Sequence, residues 1–175
     1  MLPTPMLGAP NIVLVGPMGS GKTAVGRSLA RHLGAPFYDS DTEIVRRTGV
    51  DIPYIFEREG ESGFRERERE AIEALVVLKG IVLATGGGAI LLPENRRLLA
   101  ERGFVVYLET SVEQQTERVK HGRNRPLLSN VDPAIRLKEL MMVRDPLYRS
   151  IADFTVRTDG RRVKAVADDI VRMIR

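Results

Sequence analysis

The residues that first suggest chemistry stand together near the start of the chain, in GPMGSGKT, Gly16 to Thr23. Their spacing, G-x-x-x-x-G-K-[ST], follows an apolar run and precedes a helix-forming stretch, the setting a phosphate-binding loop needs. Glycines there let successive backbone N–H groups curl around a phosphate at the positive end of a helix. Lys22 offers a point charge to the β- and γ-phosphates, and the Thr23 hydroxyl an oxygen ligand for Mg2+. A glycine-rich turn with an unrelated lysine would require neither the strand before it nor the helix after. The stretch predicts binding of a nucleoside triphosphate.

What receives the phosphate must come from elsewhere. FYDSD carries Asp39 and Asp41 two residues apart, on one side of an extended backbone and at the carboxyl end of a strand, where open α/β sheets bind ligands. The plainer role is helix capping. Ser40 with Glu43 can form the capping box instead, which leaves both aspartates for function. Arg65 and Glu68 fall beside the buried line of Ile72 and Val76, and spacing alone reads them equally as a structural ion pair or an anion clamp. Arg67 and Arg69 are expected in solvent.

The run Gly86, Gly87, Gly88 follows another apolar stretch. Three adjacent glycines cost chain entropy, and a tight turn needs only one or two. The run is therefore read as a loop with positive φ that brings bare backbone against a ligand. KHGRNRPLLSNVDP, 120–133, has two prolines and no period, as a lid would. Its Arg123 and Arg125 could swing onto a transferring phosphoryl group, or simply be solvated. In VRDPLYR, Arg144 falls at the end of a helix that Pro146 should break. Helix termination explains the proline but not the arginine.

These residues need a scaffold. Apolar runs of strand length recur at 11–15, 36–39, 81–84, 104–108 and 154–158, and the first, third and fourth are continuous, as in a sheet buried on both faces. Helices are expected over 22–33, 64–79 and 94–102, stopped by Gly34, Gly80 and Gly103. Ser111 and Gln114 make a capping box for a helix reaching about Lys120. The last helix, 163–174, has an apolar stripe at Val163, Val166, Ala167, Ile170 and Ile174. The alternation predicts a doubly wound α/β fold with a mostly parallel five-stranded sheet and helices on both faces. With 175 residues, one domain is expected over 1–175, with a loose N-terminal tail at about 1–10.

Composition narrows the class. The chain has no cysteine, so disulfide frameworks and thiolate metal sites are excluded. No apolar stretch approaches the ~20 residues of a membrane span, and the N-terminus lacks the pattern of a signal peptide. A cytoplasmic protein fits. Net charge is +4, but most arginines interleave with glutamates, as in EREGESGFRERERE, and no aromatic–basic alternation accompanies them. A basic cleft for small anions accounts for the surplus without nucleic acid. A regulatory GTPase would need an N/T-K-x-D motif after a strand, and none is present.

Taken in order, the phosphate loop, F-x-D-x-D (Phe37 to Asp41), GFRERE (63–68), TGGGA (85–89), RPLL (125–128) and RDPLY (144–148) resemble shikimate kinases, from about Asn11 to the last helix. The resemblance implies a nucleoside-monophosphate-kinase-like P-loop fold and transfer of the ATP γ-phosphate to the 3-hydroxyl of shikimate with Mg2+. By that resemblance Gly19, Ser20, Gly21, Lys22, Thr23 and Ala24 hold ATP, and Thr23 with Asp39 holds the metal. Asp41 binds shikimate hydroxyls and orients or deprotonates the nucleophile, while Arg65, Arg144 and Gly87 bind the rest of shikimate, the arginines at its carboxylate. Arg125 is the catalytic lid residue on the ATP phosphates, and Arg118 and Arg161 border the adenine. The expected partners are shikimate and ATP alone, bound by a monomer. A gluconate-kinase-like enzyme and a non-catalytic nucleotide-binding module are the alternatives.

Overall fold

A computed structural model describes residues 9–120, 126–128 and 131–174. Its five strands are all parallel, in the order β2-β3-β1-β4-β5. They are β1 Asn11–Val15, β2 Phe37–Asp39, β3 Val82–Ala84, β4 Gly103–Glu109 and β5 Phe154–Arg157. The doubly wound sheet expected from the sequence is the one observed.

The continuous apolar runs split cleanly between two layers. Ile12 and Leu14 of β1 and Val106 and Leu108 of β4 pack with α1 (Lys22–Leu33) and α7 (Val163–Ile174). Val13, Val15, Val105 and Tyr107 face the other layer, built from α3 (Ile52–Val76), α4 (Pro93–Arg102) and α6 (Pro133–Ile151). Period-two side chains in strands covered twice require apolar residues at every position. Helices α2 (Ser40–Thr48) and α5 (Val112–Val119) complete the set.

Several boundaries differ from expectation for physical reasons. Helix α3 starts twelve residues earlier than the apolar period suggested, because Asp51 caps its N-terminus by accepting from Tyr54 N, and it bends where Gly60 takes φ 72°. It ends at Val76, where the Asn11 side chain donates to the Val76 and Leu78 carbonyls. Helix α4 does stop at Gly103, but that residue is extended rather than left-handed and opens β4, where a Cβ would meet Val13 Cγ2 at 2.8 Å and Asn11 O at 3.0 Å. Pro146 does not break α6, which runs through it. The carbonyl four residues back belongs to Met142, which is 75% exposed and can turn to water instead. The Ser111 cap holds through Gln114 N, but the Gln114 side chain accepts from Gly160 N rather than closing the box. Among the described residues no helix is long and apolar enough to cross a membrane.

Candidate active site

β1 is central in the sheet, so the loop leaving its carboxyl end lies between those of β3 and β4. Gly16 (φ 152°), Gly19 (φ 79°) and Gly21 (φ 88°) give the left-handed turns that wind this loop. Gly21 caps α1 without a side chain, and α1 has no acid in its first turn. Its terminal amides and dipole are thus left for an anion. Ser20 is buried and Ala24 exposed on the first turn. Lys22 Nζ arches back over the loop, donating to the Gly16 and Pro17 carbonyls at 2.7 and 2.8 Å. Arg118 of α5 braces the loop from outside, donating to the Gly19 carbonyl at 2.6 Å.

Asp39 carries two duties at once. Its Oδ1 accepts from Asp41 N and Thr42 N, capping α2, while its Oδ2 accepts from the Thr23 hydroxyl at 2.9 Å. The expected capping box of Ser40 and Glu43 is therefore absent. Ser40 instead accepts from Gly86 N at 3.0 Å, and Glu43 pairs with Arg46 and Arg47. Asp41 lies in the first turn of α2 rather than on the strand, so the helix turn, not strand alternation, sets its direction. A hydroxyl beside a carboxylate is a hard-oxygen pair suited to Mg2+, which typically takes one or two protein oxygens and completes its shell with phosphates and water. The described residues contain no group of three or more His, Cys, Asp or Glu that would hold an ion unaided.

Asp41, Arg65, Glu68, Arg144 and the three glycines line one cleft, with Ile52, Phe56 and Phe64 as its apolar wall. The glycine run proves to be about close approach alone, since none of the three has positive φ. A Cβ on Gly86 would stand 2.8 Å from Glu68 Oε2 and 2.9 Å from Asp41 Oδ1. One on Gly87 would stand 3.3 Å from Met18 N and 3.5 Å from Arg144 Nη1, and one on Gly88 would collide with the Arg65 guanidinium. The bare backbone makes room for charged side chains crowding in from α2, α3 and α6.

The question left open for Arg65 has a double answer. Nη1 donates to Glu68 Oε1 at 2.9 Å and Nη2 to Glu61 Oε1 at 3.3 Å, and Arg65 also lines the cleft with its buried Nε unpaired. Burial pushes the Glu68 carboxyl up to about 7, against the pull of Arg65 and with a push from Asp41. Arg144 is 4% exposed and has no carboxylate within ion-pair distance among the described residues. The remaining residues contain no Asp or Glu. Burial and the neighbouring Arg65 cation hold its pKa below that of an ordinary arginine. Glu61 and Glu68 act on it only from beyond ion-pair distance; a buried cation without a paired carboxylate is costly, and a ligand anion would relieve it.

Not every expected residue joins this cluster. Arg161 is tied to Asp169 at 2.7 Å and to the Ala165 and Arg157 carbonyls, and does not line the cleft. Arg123 and Arg125 lie outside the described residues. Arg67 and Arg69, expected in solvent, are half-buried and pair with Glu59, Glu66 and Glu73. Two functional candidates went unread: Glu68 as a cleft group, and Tyr148, whose hydroxyl donates to the Gly87 carbonyl at 2.5 Å. For Glu68 the signal was its place beside the buried stripe. For Tyr148 it was four-residue spacing from Arg144, hidden by the expectation that Pro146 ended the helix.

The shikimate kinase family model matches residues 18–175. The shikimate kinase of Thioalkalivibrio sulfidiphilus is 57% identical over 94% of this chain and 87% of its own length. That of Methylococcus capsulatus is 60% identical over 92% of this chain and 90% of its own. The structure of shikimate kinase from Acinetobacter baumannii in complex with shikimate superposes with a TM-score of 0.94 at 51% identity, covering 95% of this chain and 93% of that one. With the phosphate loop, the paired aspartates and the arginine-lined cleft in place, the chain belongs to the shikimate kinase family.

Proposed function

We propose that the protein transfers the γ-phosphoryl group of ATP to the 3-hydroxyl of shikimate, giving shikimate 3-phosphate and ADP. The observation that carries this reading is Arg144, buried without a carboxylate partner on the wall of the cleft that Arg65 and Asp41 also line. Shikimate is a small carboxylate bearing hydroxyl groups. Its acid would answer the two guanidinium groups, whose planar forks suit a carboxylate, and its hydroxyls would face Asp41.

The loop from Gly19 to Ala24 cradles the triphosphate, with Lys22 neutralising charge as it spreads over the transferring group. Thr23 and Asp39 would hold Mg2+, which would supply neutralising charge to the phosphates. Asp41 accepts the hydrogen bond of the attacking hydroxyl and orients it or takes its proton. Gly87 offers backbone to the substrate, Arg125 of the lid meets the ATP phosphates, and Arg118 with Arg161 flanks the adenine. We further read the chain as a single-domain monomer of the cytoplasm with no nucleic-acid or membrane partner. Support comes from surface arginines that are already engaged with glutamates on their own helices.

The test is ADP release with shikimate, gluconate and nucleoside monophosphates offered in parallel. Turnover with shikimate alone is expected. Equal or faster turnover with gluconate would replace the reading with a gluconate-kinase-like one, and no ADP above background with any acceptor would leave a nucleotide-binding module.

A further inference from the structure

Tyr148 lies one helical turn beyond Arg144 on α6. Its side chain is fully buried, and its ring packs on Tyr107 with centroids 5.0 Å apart. Phenylalanine would fill that space equally well, so the hydroxyl needs its own explanation. It donates to the Gly87 carbonyl at 2.5 Å. The Arg144 guanidinium acts electrostatically on that phenol, and the two side chains share the wall of a small hollow with Pro17 and Met18. A phenol can donate once and still accept, so one buried atom can serve both the glycine loop and the guanidinium.

We propose that Tyr148 is a positioning residue, its hydroxyl bracing the Arg144 guanidinium and the Gly87 backbone as one preset unit for the substrate carboxylate. The inference rests on the reading of Arg144 as a carboxylate clamp. Arginine has a long side chain with about 2 kcal/mol of rotamer entropy to lose on fixing. Arg144 has no carboxylate within ion-pair distance to hold it. A brace from the next turn of its own helix removes that freedom before substrate arrives, the general basis of preorganised binding. Gly87 leaves little slack, since its Cα direction points at both Met18 N and Arg144 Nη1.

The test is Tyr148→Phe, alone and combined with Arg144→Ala, assayed beside the wild type. In the single variant KM for shikimate should rise roughly 5- to 20-fold, the worth of one hydrogen bond near a charged group. KM for ATP and kcat should stay within about twofold, because the hydroxyl touches neither nucleotide nor reacting atoms. In the Arg144→Ala background the added Tyr148→Phe change should alter kcat/KM less than about twofold, since the group it positions has gone. An unchanged shikimate KM overturns the proposal, as does equal loss for both substrates, the same loss in both backgrounds, or a variant that no longer folds. Wild-type turnover of shikimate beside a neutral Tyr148→Phe would refute the brace alone. Absence of that turnover in the wild type would refute the underlying reading.

Discussion

The nucleotide side and the acceptor side of the cleft are built on opposite plans. The phosphate loop is one contiguous stretch, Gly16 to Thr23, whose groups act mainly on each other: Lys22 on Gly16 and Pro17, Ser20 N on Pro17. The acceptor side is assembled from four separate segments, α2, α3, the glycine run and α6. A local site is written in spacing and survives as a motif. A distributed site depends on packing, and its members look ordinary wherever they stand in the sequence.

Substitutions can break that contrast, and Lys22→Met should do so most severely. Losing the point charge on the transferring phosphoryl group should cut turnover by at least about 10³-fold with the fold intact, measured as ADP release with circular dichroism as control. Activity within tenfold of wild type would sink the phosphate-loop assignment. Asp41→Asn keeps shape and should lower kcat by roughly 10²–10⁴ if the carboxylate handles the hydroxyl proton; a change confined to KM would show that it only positions substrate.

On the acceptor side, Arg144→Ala should weaken shikimate binding by about 1.5–3 kcal/mol and leave ATP binding nearly unchanged, with Lys a partial rescue. Titration calorimetry with each ligand decides; weakened ATP with spared shikimate would move Arg144 to the phosphate site. Arg65→Ala should cost stability besides, because it strands the buried Glu68. Gly86→Ala places a methyl group within 2.9 Å of both Glu68 Oε2 and Asp41 Oδ1. It should raise KM for shikimate more than KM for ATP, by roughly tenfold, the order of an overpacking penalty.

The smallest effect concerns pH. Glu68 holds its proton to about 7 in the fold, against 4.5 for an ordinary glutamate. The folded state therefore binds more protons than the unfolded chain between those values, and stability from this group falls as pH rises through about 7. The difference in Tm, wild type minus Glu68→Gln, should shrink or reverse from pH 5 to pH 8. A difference constant over that range would mean that Glu68 is already ionised at pH 5.

Much of this was legible beforehand, unevenly. The strand runs, α1 and α7 were readable because burial on two faces or along one stripe leaves a strong periodic signature. Helix α3 was misread at both ends because a side-chain cap from Asp51 and the reach of Asn11 set them, and neither belongs to the apolar period. The glycine run lines the cleft, but what its sequence position cannot show is that crowding side chains, not positive φ, require glycine there. Asp39 cuts across the choice between capping and function by capping α2 with one oxygen and holding the Thr23 hydroxyl with the other. No spacing rule could state that Arg144 lacks a carboxylate, since that depends on every neighbour the fold supplies.

The central place of β1 has a consequence in time. It is the first of the five strands to be made, yet Ile12 pairs with Val82 on one side and Val13 with Val105 on the other. About 90 residues must be made after it before both edges are covered, which takes roughly 5–20 s at ordinary rates of synthesis. For that interval an unpaired apolar strand precedes a glycine-rich loop with nothing to wind around. Nascent chains that stop short of residue 103 should be held by chaperones and show no affinity for ATP, so ATP binding reports completion of the sheet.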